Sequence, residues 1–127
     1  MNDAGQRGSA PAEFVLTVVL LLALVLGVLQ LGAVLLVRNT ALAAVAEGAR
    51  WSALVGNSDA DGAARARQVL TSSLGSAYAS AVTASRTRWQ QQPATVVRAR
   101  IPLPLIGLLG PPAAIEVTGH AALEPAP

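Results

Sequence analysis

The stretch Phe14–Val37, FVLTVVLLLALVLGVLQLGAVLLV, runs for 24 residues without a charge, between Glu13 and Arg38. As an α-helix it would be about 36 Å long, enough to cross a hydrocarbon core roughly 30 Å thick with some tilt. Thr17, Gly27, Gln30 and Gly32 interrupt it only mildly, because a helix pairs its own backbone and a hydroxyl can bond back to it. The run therefore predicts a single membrane span, and the rest of the chain has to be arranged around it. About ninety residues remain outside the bilayer, room for one small domain with a thin core.

Composition narrows the chemistry. There is no cysteine and one histidine, His120, and the seven acids are scattered. Disulfides, thiolate nucleophiles and Cys-ligated metals are thereby excluded, and no base stands near the many Ser and Thr residues. His120 falls on the exposed face of a predicted strand, where it reads as a surface residue. We expect no enzyme, no cofactor, no metal site and no small-molecule substrate. The pI near 10.5 comes from nine arginines spread thinly along the chain, and a net charge of +2 is a weak footprint for nucleic acid, so none is expected as a partner.

Residues 1–8, MNDAGQRG, are polar and read as a short leader outside the fold. A secretory signal is one alternative, since Ala41-Leu42-Ala43 offers a small-residue cleavage site that would release a protein beginning at Ala44. Its apolar region should be about 7–15 residues, however, and this run is far longer. Glu13 stands at the mouth of the span. A carboxylate there can simply complement the helix dipole at the headgroups, but its spacing says more: G-S-A-P-A-E places Gly8 five residues before Glu13, with Arg7 upstream.

In this the chain resembles the bacterial prepilins, which are cut after a glycine by a membrane-embedded prepilin peptidase and keep a glutamate as the fifth mature residue. The resemblance implies Gly8 as the last leader residue, Ser9 as the new N-terminus and Glu13 as the retained acid. In a bundle of such helices the acid would neutralise the terminal ammonium of a neighbour, satisfying two groups that are costly to leave unpaired in lipid.

Past the span, RNTALAAVAEGARWSALV, residues 38–55, contains no proline and predicts that the helix continues as a stem until Gly56-Asn57-Ser58. Leu42, Val45 or Ala46, Ala49 and Ala53 form its apolar stripe, leaving Arg38, Glu47, Arg50 and Ser52 on other faces. This segment is similar to one in Tad pilus proteins of the TadE type, R-N-A-L-x-x-A-A-R-E-G-A-R-Y-A-A. Arg38, Asn39, Ala41, Leu42, Glu47, Gly48, Ala49 and Arg50 match, with Trp51 at the aromatic position; Val45-Ala46 stands where an alanine and an arginine are usual. Without that resemblance, EGAR would read as the solvated face of an alanine helix.

In the polar turn 57–62, NSDADG, Asp59 or Asp61 is expected to cap the next helix; a calcium loop would need further ligands and a closing glutamate. Residues 63–84 read as a second helix with the stripe Val69 or Leu70, Leu74, Tyr78, Ala81 and Val82, irregular near Gly75. Then the period changes to two. Arg86–Trp89 could begin a strand; Thr95–Ile101 sets Val97, Ala99 and Ile101 against Val96, Arg98 and Arg100; Ile115–Leu123 sets Ile115, Val117, Gly119, Ala121 and Leu123 against Glu116, Thr118 and His120. A three-stranded meander follows, its polar face bearing Arg98, Arg100, Glu116 and His120. The broken apolar run 102–112, PLPLIGLLGPP, is too short to span and reads either as a loop over the sheet or as a patch for a partner or the membrane surface.

The expected architecture is α+β: leader 1–8, span and stem 9–55, and a small head 56–127 outside the cytoplasm, with the N-terminus inside although Arg38 and Arg50 outnumber Arg7 around the span. The resemblance implies a structural pseudopilin of a tight-adherence, type IVb-like pilus or related secretion apparatus. Its partners would be membrane lipid, the prepilin peptidase, and other pilins and pseudopilins with their assembly machinery. An anchored binding module unrelated to pili, and the secreted fragment beginning at Ala44, are the alternatives.

Overall fold

The computed structural model describes residues 3–103 and 114–125. Two helices precede a three-stranded sheet: α1 (Asp3–Ala53), α2 (Asp59–Leu74), a 3-10 turn at Ser76–Ala79, then β1 (Val82–Trp89), β2 (Gln92–Pro102) and β3 (Ala114–Ala122). The chain divides into two compact units, Met1–Ala33 and Val34–Pro127.

The described residues of the first unit all belong to α1. The helix starts at Asp3, so the leader expected outside the fold is helical from there. Pro11 lies inside it, where it removes one backbone hydrogen bond. The large apolar residues from Phe14 to Leu31 are almost all exposed, as they are in a helix that meets lipid rather than a core. One helix among the described residues is long and apolar enough to cross a membrane, and its most apolar window is not buried at all.

The second unit is built on the last turns of α1. Val37, Ala41, Ala44, Val45 and Ala49 are buried in one cluster with Ala63, Ala66 and Leu70 of α2 and Val82, Val97, Ala99, Ile101 and Val117 of the sheet. Small residues dominate because the backbones come close. A Cβ on Gly48 would sit 2.6 Å from the Gly62 carbonyl oxygen and 2.9 Å from Ala66 Cβ; one on Gly119 would sit 2.6 Å from the Val45 carbonyl. Glycine at 48, 62 and 119 thus lets α2 and β3 lie directly on the stem. The stem ends at Ala53, before the expected Gly56-Asn57-Ser58, and Asn57 Nδ2 donates to the Trp51 carbonyl at 2.7 Å.

The second helix differs from the expected 63–84 at both ends. It begins at Asp59 because Ser58, rather than Asp59 or Asp61, is the cap: Ser58 Oγ accepts from Asp61 N–H and the Asp61 carboxylate accepts from Ser58 N–H, a complete capping box. It ends at Leu74 because Gly75 takes φ +108°, which side-chain-bearing residues avoid. Leu70 is fully buried and Val69, Leu74 and Tyr78 pack against the core as expected, but Val82 reaches it from β1, and Ala81 is exposed.

The sheet is the antiparallel meander β1-β2-β3. Val97, Ala99 and Ile101 face the helices and Arg98 and Arg100 face away, as the alternation predicts. Val96, expected on the polar face, is also buried, with Ala94. On that face the Trp89 and His120 rings stack with centroids 5.7 Å apart. Trp89 pairs with Gln92 and His120 with Val96, so the two rings meet over Ala94 from the flanking strands. Arg98 reaches Glu116 at 3.9 Å. The run 104–112 and residues 126–127 lie outside the described residues; Pro102 closes β2.

Candidate processing site and stem motif

Gly8, Ser9 and Glu13 all fall within α1 and are exposed. Helical geometry puts Ser9 and Glu13, four apart, on one face. Thr17, four further on, donates its hydroxyl to the Glu13 carbonyl at 2.8 Å, which removes one polar group from the apolar surface. The Glu13 carboxylate has no ion-pair partner among the described residues.

The stem residues divide by role. Arg38 and Asn39 are exposed where the apolar run ends. Glu47 to Trp51 forms the strip on which α2 lies, and each position does something different. Gly48 admits the α2 backbone, and Ala49 is fully buried. Glu47 Oε1 takes Arg65 of α2 at 3.4 Å and its other oxygen takes Arg50 at 3.6 Å. Trp51, one turn on, places its ring under the Arg65 guanidinium, 5.4 Å from centroid to Cζ. Arg65 is thus held by a carboxylate and an aromatic face spaced i, i+4 on the stem. Arg50 remains exposed.

Ala49 is buried, as the apolar stripe predicts, whereas Glu47, assigned to another face, turns to α2 and pairs with Arg65. Ser52, assigned to another face, is also buried: its hydroxyl meets Thr95 Oγ1 at 2.9 Å, joining the stem to the centre of β2. Two residues of this contact system escaped sequence reasoning, Gly62 and Arg65. The small-residue pair Gly48 and Gly62 was a usable signal; nothing in the sequence pairs Arg65 with Trp51.

A shallow groove of about 210 Å³ runs between Trp51, Asp61, Ala64, Arg65 and Gln68. It contains no nucleophile and base pair, and no group of three or more potential metal ligands occurs among the described residues. The contacts this region makes among the described residues are packing and charge pairing.

No curated protein and no solved structure matches the chain. A family model does: residues 8–50 match the model of the TadE-like proteins, from Gly8 through the stem to Arg50. Over that segment the chain is similar to the TadE-like proteins.

Proposed function

We propose that this chain is a minor pseudopilin, a structural subunit that takes part in assembling a tight-adherence pilus or a related secretion apparatus. A peptidase cuts between Gly8 and Ser9, the span then moves laterally into a bundle of similar helices, and Glu13 sets the register by pairing with the terminal amine of a neighbour. The leader faces the cytoplasm and the Val34–Pro127 unit the outside.

The position of Pro11 is the observation that carries this reading furthest. In the uncut chain Pro11 sits in the interior of α1, where proline costs about 3 kcal/mol. After a cut at Gly8 it becomes the third residue, inside a first turn whose N–H groups have no helical partner in any case, and the penalty disappears. The cut thus leaves a helix better suited to its sequence, and a free amine four residues from an unpaired acid. Release after Ala43 fits poorly, because it would strip Val37 and Ala41 from the core they share with the sheet.

Replacing Glu13 by Ala tests the register role. The variant should insert in the membrane and be cut at a normal level yet fail to join the assembly, as read by crosslinking to neighbouring subunits; normal incorporation removes the role.

A further inference from the structure

The end of the sheet that lies beside Arg38 holds Arg98, paired with Glu116, and Arg100, which has no ion-pair partner among the described residues. The height of each strand residue along the stem can be read from three contacts. Ser52 meets Thr95, and Gly119, the partner of Val97, abuts Val45. Moving along β2 from Thr95 to Val97 therefore moves down α1 towards the span. Four more residues, Val97 to Ile101, descend about 13 Å of strand, which is about nine residues of helix and ends near Leu36–Val37. Burial agrees, since Val37 and Ile101 share one core cluster.

Residues 34–37, the last of the apolar run, belong to the same compact unit as the sheet. A bilayer whose hydrocarbon ends at Val37 thus meets this unit at a defined height, with Arg100 level with Arg38 and Arg98 one step behind. Arg98, Arg100, Thr83 and Glu116 line a groove of about 210 Å³ on the face turned away from the helices. Glu116 is engaged by Arg98. Arg100 and Arg38 are exposed and their guanidinium groups have no ion-pair or hydrogen-bond partner among the described residues.

We infer that this base is a headgroup-contact surface: Arg38 and Arg100, with the Arg98 and Thr83 groove beside them, hold the phosphates of anionic phospholipids. Two unpaired guanidinium groups at headgroup height match an anionic surface in charge, and each presents a planar set of donors suited to phosphate oxygens. The contact would fix the height and tilt of this unit on the membrane. It goes beyond the role in pilus assembly and does not depend on it.

The test uses the unaltered full chain in lipid nanodiscs, with phenylglyoxal as an arginine-selective probe and modification of each arginine followed by peptide mass spectrometry. Arg88, near the hairpin at the opposite end of the sheet, where it donates to the Gln91 carbonyl, is the internal control. Adding phosphatidylglycerol to phosphatidylcholine discs should slow modification of Arg38 and Arg100 about five-fold, the factor given by roughly 1 kcal/mol of attraction per arginine near an anionic surface, with Arg88 unchanged. Inorganic phosphate added to phosphatidylcholine discs should not reproduce the effect. Equal rates in both lipids, equal slowing at Arg88, protection by free phosphate alone, or failure of the chain to enter the discs would each overturn the inference.

Discussion

Substituting Gly48 by Ala separates two opposed effects in one methyl group. By helix propensity alone the change should stabilise the stem by about 1 kcal/mol. The fold reverses the sign. The added Cβ would lie 2.6 Å from the Gly62 carbonyl oxygen, about 0.8 Å inside the 3.4 Å at which ordinary contact begins, and 2.9 Å from Ala66 Cβ. Neither neighbour can swing aside, one being backbone and the other a methyl on a fully buried residue. The helices must separate, and overpacking of this kind costs about 1–3 kcal/mol in addition to loosening the Glu47–Arg65 and Trp51–Arg65 contacts. Net destabilisation of about 1–2 kcal/mol should result, a fall in midpoint of roughly 5–10 °C for a domain of this size. Thermal unfolding of the full chain in detergent micelles, followed by the fluorescence of Trp51 and Trp89, measures it. Ala43→Gly, at an exposed position of the same helix, calibrates propensity and should lose about 1 kcal/mol. A G48A midpoint equal to or above that of the unaltered chain would refute the packing role assigned to the stem motif.

Further expectations follow from the same contacts. Ser58→Ala removes the capping box of α2 and should lower stability in the same assay by about 1 kcal/mol; no change would remove Ser58 as the helix-starting residue. Gln90 and Gln91, which close the β1–β2 hairpin, have φ +50° and +65°, the conformation that favours Asn-Gly. Gln91→Gly should therefore raise stability by about 1 kcal/mol, and a loss would show that the hairpin does not turn this way.

Periodicity made the span, the stem and the meander legible, because each buries or exposes residues at a fixed interval. Glu47–Trp51 shows where that reasoning stops. Glu47 and Gly48 look solvated on an isolated helix, and only the arrival of α2, with Gly62 against Gly48 and Arg65 between Glu47 and Trp51, turns them into contacts. Val96 departs from the pattern for a similar reason: the alternation sets it on the open face, but Trp89 and His120 stack there from the two flanking strands. The second helix ends earlier than its spacing suggests because Leu74, Tyr78 and Val82 continue a helical period that Gly75 interrupts. It starts earlier than residue 63 because Ser58 competes with two aspartates for the cap, and the serine wins by bonding reciprocally with Asp61. Gly8, Ser9 and Glu13 are singled out by residue type and spacing alone, whereas the bearing of Pro11 on them comes only from the helix running through residues 3–13.

Processing at the leader glycine is the step on which the assembly role rests, and the mature N-terminus reports it directly. Intact mass and N-terminal sequencing of the chain purified from its own cell membranes should give a protein beginning at Ser9. A chain that still carries Met1–Gly8, or one that begins at Ala44, would contradict it.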